Sequence, residues 1–438
     1  MRVIRTSAAV VLAIALFMLA GPLSAVASND PRFGDQWGLH KIEAEAAWSA
    51  SRGDGVSIAL IDSGADLSHP DLRGKISGGK DFVDGDNSPD DDNGHGTLTA
   101  GIAAASTGNG VGIAGVAPNA RIVPVRVFDG AGNAGSDKVA AAIAWAVDNV
   151  PGRLVLNLSF VGPGSSLLLV EDVRAAINYA TSRGAAVVVA AGNDGADNQY
   201  DAPSGSGIIV VGASTREDAC SSFTNYGSGV DILAPGGAGG RSSGTDILST
   251  YLGGGYASSS GTSLAAPFVS GAMALLMSQG SSAPSAASRI ISSARGPAIS
   301  CRGESSSYRF LNVASALGVS LAASGPAQQP AAPAPAPPPA GKALRQPGPV
   351  AAPQGAASLP APSAPAPPPT PVIALPNKDP NKDPNNDKEP PTIPLAADLQ
   401  LPVKNSAPLS PAKLTATLLL VALGAAHIGL LLRSRLIR

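Results

Sequence analysis

The sequence predicts an α/β domain in which helices cover both faces of a mainly parallel central sheet. Short runs of branched apolar residues have the continuous hydrophobicity of strands buried on both faces: 56–61, 122–127, 154–158, 186–190 and 208–211. Stretches with helical patterning alternate with them: 137–147, 168–182, 263–278 and 285–294. This alternation is typical of a three-layer domain, and residues 28–324 are enough for one large core.

The first 27 residues have the features of a secretory signal peptide. Two arginines precede an apolar run from Ala8 to Leu19, and residues 25–27 give the small-x-small pattern that signal peptidase accepts. Cleavage after Ala27 would place the rest of the chain outside the cytoplasmic membrane. An uncleaved membrane anchor is the alternative, although the run is short for a span and Gly21-Pro22 interrupts it.

Residues 325–412 form a predicted disordered stalk, because most of the 39 prolines lie there and Ala/Pro runs favour an extended spacer. Residues 413–433 form a predicted transmembrane helix, since no charge falls between Leu414 and Leu432. The basic tail, 434–438, is expected in the cytoplasm. We therefore expect a single-pass cell-membrane protein with an extracellular catalytic domain; a degenerate cell-wall sorting signal is the alternative.

The composition excludes several classes of protein. A formal net charge of −2 and 14% charged residues argue against nucleic-acid binding through a general basic field. Two cysteines are too few for a disulfide scaffold or a four-cysteine zinc site. Cys220 and Cys301 both fall in the exported region, where either a disulfide or two separate thiols is possible, and export favours the disulfide.

Three segments carry the side chains of serine-based hydrolysis. Asp62 ends an apolar strand, His95 follows a glycine at the start of a predicted helix, and Ser263 opens a long apolar helix. Serine needs a base to remove its proton, and a carboxylate orients the histidine that acts as this base. Loops at the carboxyl ends of parallel strands meet, so the three residues can form one site. Taken singly, they would be a capping residue, a loop histidine and a helix N-cap.

In the chain order Asp, His, Ser, these segments resemble the subtilisin family, and thermitase-like members in particular. The similarity begins at residues 29–38 and extends to residues 310–316. The resemblance implies a subtilisin-like fold and a serine endopeptidase that cleaves protein or peptide substrates through an acyl-enzyme. It also implies that Asn193 supplies the side-chain donor of an oxyanion hole, with the backbone N–H of Ser263. The stalk and anchor resemble the layout of mycosin-like membrane-anchored members.

The resemblance implies substrate contacts at two segments. An extended peptide is expected to pair with one edge, and Val161 stands on that edge where the family usually has glycine. The implied substrate-binding residues are Ser159, Phe160, Val161, Gly162, Ala190, Ala191 and Gly192.

Structural Ca²⁺ is the cofactor that the resemblance implies, at two groups of oxygen ligands. The first group is Asp30, Asp71 and Asn109, and the second, in the loop before His95, is Asp81, Asp84, Asp86 and Asp90. A solvated acidic loop is the alternative for each group.

Two features depart from the family pattern. Leu98 stands where most relatives have a second histidine, and only a few residues separate the expected cleavage site from the catalytic body, where most secreted relatives have a prodomain. The sequence nevertheless predicts a membrane-tethered serine endopeptidase with a monomeric catalytic domain. The alternative is a catalytically silent binding module on a cell-surface stalk, against which the triad residues and Asn193 argue.

Overall fold

A computed structural model describes residues 28–160, 170–198, 205–240, 244–319 and 392–394. The predicted signal peptide, the predicted transmembrane helix, the basic tail and nearly all of the predicted stalk lie outside these ranges. Within them, no helix combines the length and apolar character needed to span a bilayer. The chain divides into two compact units, and the described residues all belong to the one that excludes Ser320–Pro390.

The described residues form thirteen β-strands. In chain order these are β1 (Val56–Asp62), β2 (Lys80–Asp81), β3 (Arg121–Arg126), β4 (Asn133–Gly135), β5 (Arg153–Leu158), β6 (Ala186–Ala190), β7 (Ile208–Ser214), β8 (Ile232–Pro235), β9 (Ile247–Tyr251), β10 (Gly255–Ser259), β11 (Arg295–Ile299), β12 (Tyr308–Phe310) and β13 (Thr392–Pro394). Nine of them make the central sheet, in the order β11-β12-β8-β7-β6-β5-β1-β3-β2.

The same residues form a 3-10 turn at Phe33–Asp35 and eight α-helices. The helices are α1 (Trp37–Lys41), α2 (Ala44–Ala47), α3 (His95–Ala104), α4 (Ser136–Asn149), α5 (Glu171–Ser182), α6 (Thr262–Ser278), α7 (Ala283–Ser292) and α8 (Val313–Ala316). The four predicted helices correspond to α4, α5, α6 and α7.

The central sheet is parallel except at one edge. Strand β1 lies between β3 and β5, with Ile58 opposite both Ile122 and Val155. All neighbouring strands of the central sheet run parallel to each other, except that β11 at one edge is antiparallel to β12. All seven residues of β1 are buried, which explains its continuous apolar sequence.

Two hydrophobic cores lie on opposite faces of the sheet. Alternate residues of β1 belong to different cores, because successive side chains of a strand point to opposite faces. Ile58 and Leu60 pack in the core that α3, α6 and α7 cover. Ala59 and Ile61 pack in the core that α4 and α5 cover. The predicted three-layer α/β fold is therefore confirmed.

Two strand pairs lie outside the central sheet, and one disulfide joins distant parts of the chain. Strands β9 and β10 form an antiparallel pair. Strand β13 pairs antiparallel with β4, with Thr392 opposite Gly135. Cys220 and Cys301 form a disulfide whose Cα atoms are 5.7 Å apart, so the bridge that export favours is present.

Candidate active site

Asp62 and His95 form a buried hydrogen-bonded pair at the carboxyl end of β1. The distance from His95 Nδ1 to Asp62 Oδ1 is 2.7 Å, and the two side chains are 1% and 0% exposed. The N–H of Ser63 donates to Asp62 Oδ1 at 2.8 Å, and the Thr99 hydroxyl donates to Oδ2 at 3.3 Å. These contacts fix the carboxylate, which in turn fixes the orientation of the imidazole.

Asp91 anchors the start of α3, where His95 is the first residue. Its Oδ1 accepts the Ser63 hydroxyl and the Gly94 N–H, both at 2.8 Å. Its Oδ2 accepts the Thr97 N–H at 2.8 Å and the Thr97 hydroxyl at 2.6 Å. The carboxylate thus satisfies N–H groups that a helix start leaves without partners. Sequence reasoning missed this role, although an aspartate shortly before a helix is a recognisable capping signal.

The electrostatic environment raises the pKa of His95 above its ordinary value of 6.5. Burial by itself would lower the pKa, because it disfavours the imidazolium. The negative charge of Asp62, the hydrogen bond to Asp62 and the charge of Asp91 oppose this effect and prevail. The pair is therefore suited to accept and hold a proton at Nε2, the ring nitrogen opposite Asp62.

Ser263 is the second residue of α6, and its backbone is tied to β5. Pro267 lies in the same helix and has no N–H, so the carbonyl of Ser263, four residues earlier, lacks its helical donor. The Ser159 hydroxyl donates to that carbonyl at 2.8 Å. Asn157 donates to Ser159 Oγ and accepts from the Ser270 hydroxyl, each at 2.8 Å. This buried chain of hydrogen bonds fixes the helix turn that carries Ser263.

Asn193 is oriented by the residue that precedes Ser263. Its Oδ1 accepts both the N–H and the hydroxyl of Thr262 at 2.9 Å. Gly261 has a φ of +154°, and a Cβ added there would lie 2.9 Å from Ser263 Oγ and 3.4 Å from Asn193 Nδ2. The hydroxyl and the amide nitrogen therefore border the same space, which a side chain at position 261 would fill. Sequence reasoning did not foresee the contribution of Thr262.

The imidazole is available for proton transfer on its second nitrogen. His95 Nε2 is buried and hydrogen-bonds to no group among the described residues, so it does not bond to Ser263 Oγ. Helices α3 and α6, which carry the two residues, pack directly against each other. Catalytic hydrogen bonds are often long without substrate and shorten when it binds. The structure thus places a buried Asp62–His95 pair and the helix that carries Ser263 next to each other.

A family model described as the subtilase family (Peptidase_S8) matches residues 53–309, more than half of the 438-residue chain. The chain belongs to the subtilase family of serine proteases. The match includes the segments of Asp62, His95, Asn193 and Ser263.

Curated relatives and solved structures agree with this assignment. The chain is 45% identical to the thermophilic serine proteinase of Bacillus sp. (strain AK1) over 254 residues, which are 58% of this chain and 60% of that protein. It is 45% identical to thermitase of Thermoactinomyces vulgaris over 256 residues, 58% of this chain and 87% of thermitase. A solved protease from Pseudoalteromonas arctica is 33% identical with a TM-score of 0.58, covering 66% of this chain and 98% of its own.

The predicted substrate-binding residues of this subtilase are only partly described. Val161 and Gly162 lie outside the described residues. Ser159 and Phe160 are buried, and the ring of Phe160 packs edge-on against Phe128 at 5.0 Å between centroids. Ser159 therefore uses its hydroxyl within the protein, so that any contact it makes with substrate is through its backbone.

Ala190, Ala191 and Gly192 form the end of β6 and the turn after it. The Ala191 carbonyl accepts the side-chain amide of Asn225 at 3.0 Å, and the Gly192 N–H donates to Thr262 Oγ1 at 3.1 Å. Their backbone groups thus hold the segment that leads to Asn193. A role as the second wall of the substrate site stays a prediction.

The first predicted calcium group of the subtilase is brought together by the fold. Asp71 Oδ1 accepts the side-chain amide of Asn109 at 3.1 Å, and Asp30 Oδ1 accepts the Asn109 N–H at 3.0 Å. Tyr256 donates to Asp71 Oδ2 at 2.9 Å. Carboxylate and amide oxygens are the donors that Ca²⁺ prefers, so these residues fit the ion chemically. Across the described ranges, however, no group of three or more His, Cys, Asp or Glu side chains is arranged to hold a metal.

The second predicted calcium group faces a guanidinium instead. Arg126 donates to Asp81 Oδ2 at 2.7 Å, to Asp84 Oδ2 at 2.6 Å and to Asp92 Oδ2 at 2.7 Å. The other two predicted ligands, Asp86 and Asp90, accept backbone N–H groups within the fold. Because Arg126 supplies the positive charge between Asp81 and Asp84, these two side chains do not fit a calcium site in this arrangement.

Proposed function

We propose that this subtilase hydrolyses peptide bonds with Ser263 as nucleophile, His95 as base and then acid, Asp62 as orienting carboxylate and Asn193 as oxyanion donor. The observation that carries the proposal is the buried contact of 2.7 Å between His95 and Asp62, which leaves Nε2 as the proton acceptor. The common space bordered by Ser263 Oγ and Asn193 Nδ2 supports the remaining two roles.

The reaction that these residues support has two stages. Ser263 Oγ attacks the scissile carbonyl carbon while its proton passes to His95 Nε2. Negative charge on the carbonyl oxygen is stabilised by the Asn193 amide and the Ser263 N–H. The carbon–nitrogen bond then breaks, and the leaving amine takes the proton from His95. Water attacks the resulting ester by the same proton route and releases the acid and the free serine.

Replacement of the nucleophile tests this proposal. Ser263→Ala should be folded, with an unchanged melting temperature, but should lose peptide hydrolysis and labelling by a fluorophosphonate, because both reactions require the hydroxyl. Ser258→Ala, on β10, is a matched control that should keep both activities. Hydrolysis or labelling of Ser263→Ala at the wild-type rate would refute the assignment. Absence of labelling in the wild-type protein would favour the silent binding module.

We further propose that the substrates are proteins or peptides bound in an extended conformation, with the catalytic domain outside the cell membrane. The apolar segments 1–27 and 413–433 and the Pro-rich segment 325–412 support secretion and tethering. A chain truncated after residue 412 should leave the membrane fraction, whereas deletion of residues 331–340 alone should not release it. Membrane retention of the truncated chain contradicts the proposed anchor.

Calcium at Asp30, Asp71 and Asn109 is also a proposal, supported by the meeting of these oxygen-bearing side chains. Bound there, the ion would tie the N-terminal segment to the loop that follows α3. Removal of calcium with EDTA should lower the melting temperature of the wild-type protein and leave that of Asp71→Asn unchanged. If EDTA lowers the melting temperatures of both proteins equally, the ion does not bind at this site.

A further inference from the structure

We infer that Asn225 is a positioning residue for the oxyanion hole, holding the loop that presents Asn193. The inference rests on the proposed function, since it assigns Asn225 an effect that passes through Asn193. Asn225 touches neither Ser263 nor His95 in the contacts described above, and it lies 32 positions after Asn193 in the sequence.

The side chain of Asn225 is fully buried and uses both ends of its amide on this loop. Its Oδ1 accepts the N–H of Asp194 at 3.0 Å and the N–H of Ala196 at 2.9 Å. Its Nδ2 donates to the carbonyl of Ala191 at 3.0 Å. The backbone N–H of Asn225 donates to the carbonyl of Gly192 at 2.9 Å. Four hydrogen bonds from one residue thus reach the chain on both sides of Asn193.

Other contacts also hold this loop: the Gly195 N–H donates to the Phe223 carbonyl at 2.8 Å, and the Tyr226 N–H donates to the Ala196 carbonyl at 3.0 Å. Asn225 differs in bonding to residues on both sides of Asn193. Glycines at positions 192 and 195 flank Asn193 and give the backbone little stiffness of its own. Thr262 fixes the amide oxygen of Asn193, as described above, but the position of the Asn193 backbone depends on the loop. Asn225 therefore fixes the backbone end of Asn193, and Thr262 fixes the amide end.

The amide is the side chain that suits this position. It accepts two N–H groups through its oxygen and donates to a carbonyl through its nitrogen, which neither a carboxylate nor an aliphatic side chain does. An aspartate would keep the two accepted bonds but would lose the donation to Ala191. An alanine would lose all three side-chain bonds and leave the loop groups without partners.

Displacement of the loop should affect the transition state more than substrate binding. An oxyanion donor acts when it lies about 2.7–3.1 Å from the charge that develops on the carbonyl oxygen, so a small shift weakens its effect. The substrate before reaction carries no such charge and gains little from the donor. A positioning defect should therefore appear in kcat, whereas a purely structural defect should appear in the melting temperature.

The test is a double-mutant cycle with Asn193→Ala, measured on the full chain with active sites counted by fluorophosphonate labelling. Asn225→Ala should lower kcat by about 10- to 100-fold, a fraction of the roughly 10²–10³-fold loss expected when an oxyanion donor is removed. KM should change less than about threefold, because ground-state binding does not depend on the donor. In the Asn193→Ala background, Asn225→Ala should change kcat less than about threefold, because the group it positions is absent.

A matched control separates this role from loss of stability. Asn312 is also a buried asparagine, and its side chain accepts the N–H of Ser315 at 2.8 Å at the start of α8. Asn312→Ala should lower the melting temperature without changing kcat. If Asn225→Ala does not fold, Asn225→Asp, which keeps the two accepted bonds, should give a smaller loss of kcat in the same cycle.

Two results would overturn the inference. One is an equal fold-loss of kcat from the Asn225 variant in both backgrounds, and the other is a loss of stability alone, as expected for Asn312→Ala. A different result would overturn the proposed function instead: if Asn193→Ala has wild-type kcat, Asn193 is not an oxyanion donor. The two failures are therefore distinguishable in one set of measurements.

Discussion

Residues near His95 determine the pH range in which the proposed base works. Only the neutral imidazole can take a proton from Ser263, and Asp62 and Asp91 raise the pKa of His95 above 6.5. The imidazolium is stabilised in the folded protein, so its contribution to stability is complete below pH 6.5 and is lost as pH rises through the higher folded-state pKa. Activity is therefore expected at pH values above the folded-state pKa, where the imidazole is neutral and this contribution to stability is lost.

We predict that kcat/KM rises with pH through a midpoint above 6.5. Initial rates on a peptide substrate between pH 5 and pH 10 give this midpoint, provided that circular dichroism shows a folded protein throughout. Arg153→Gln, an exposed substitution at the start of β5, is a control that changes the net charge without a contact to the pair and should leave the midpoint unchanged. A midpoint at or below 6.5 would contradict the electrostatic argument.

At the scale of elements, the loop between β2 and α3 is held by an internal ion pair network. The Arg126 side chain, from the last residue of β3, is 9% exposed, and that of its partner Asp81 is 1% exposed. A buried carboxylate that loses its partner is strongly destabilising, because its charge is then uncompensated. The loop leads directly to Asp91 and His95, so its order also bears on the site.

Replacement of Arg126 by methionine should lower the melting temperature by on the order of 10 °C, from a loss of about 3–5 kcal/mol in the free energy of unfolding. Differential scanning calorimetry in EDTA measures this without a contribution from calcium. Arg121→Met, at the exposed start of the same strand, should have little effect. An unchanged melting temperature for Arg126→Met would mean that the network contributes nothing to stability.

Elements and their ends were more predictable from the sequence than the contacts between them. Strand β1 could be predicted because burial on both faces requires a continuous apolar run, and Asp62 marks its end. Thr262 and Asn225 could not be assigned, because their partners lie about 70 and 30 positions away and hydrogen bonds at such separations leave no local pattern. The acidic residues before His95 suggested calcium because the sequence does not reveal that Arg126 folds over them.

At the scale of the whole molecule, the disulfide joins the segment before Asn225 to the C-terminal part of the domain. Cys220 and Cys301 are 81 positions apart in the sequence. A cross-link over a loop of this length restricts the unfolded chain and stabilises the folded state by about 4–5 kcal/mol in the chain-entropy description. The bridge therefore contributes a substantial part of the stability expected for a domain.

The double variant Cys220→Ser with Cys301→Ser should melt on the order of 10 °C below the wild-type protein. Thermal unfolding followed by circular dichroism, in the absence of reductant, measures the difference. Addition of reductant should lower the wild-type melting temperature toward that of the double variant and leave the variant unchanged. If reductant lowers the melting temperatures of both proteins, it acts through something other than reduction of this bond.

The position of the bridge also decides what becomes of a molecule that has been cut. Ser263 lies between the two cysteines, so one broken peptide bond anywhere from residue 221 to residue 300 leaves both pieces covalently joined. A population damaged by its own proteolysis in this stretch would migrate as intact chains on a non-reducing gel and as two fragments on a reducing gel. The sulfur–sulfur bond thus hides such damage from electrophoresis without reductant, although each cut still adds one water molecule to the mass of the chain.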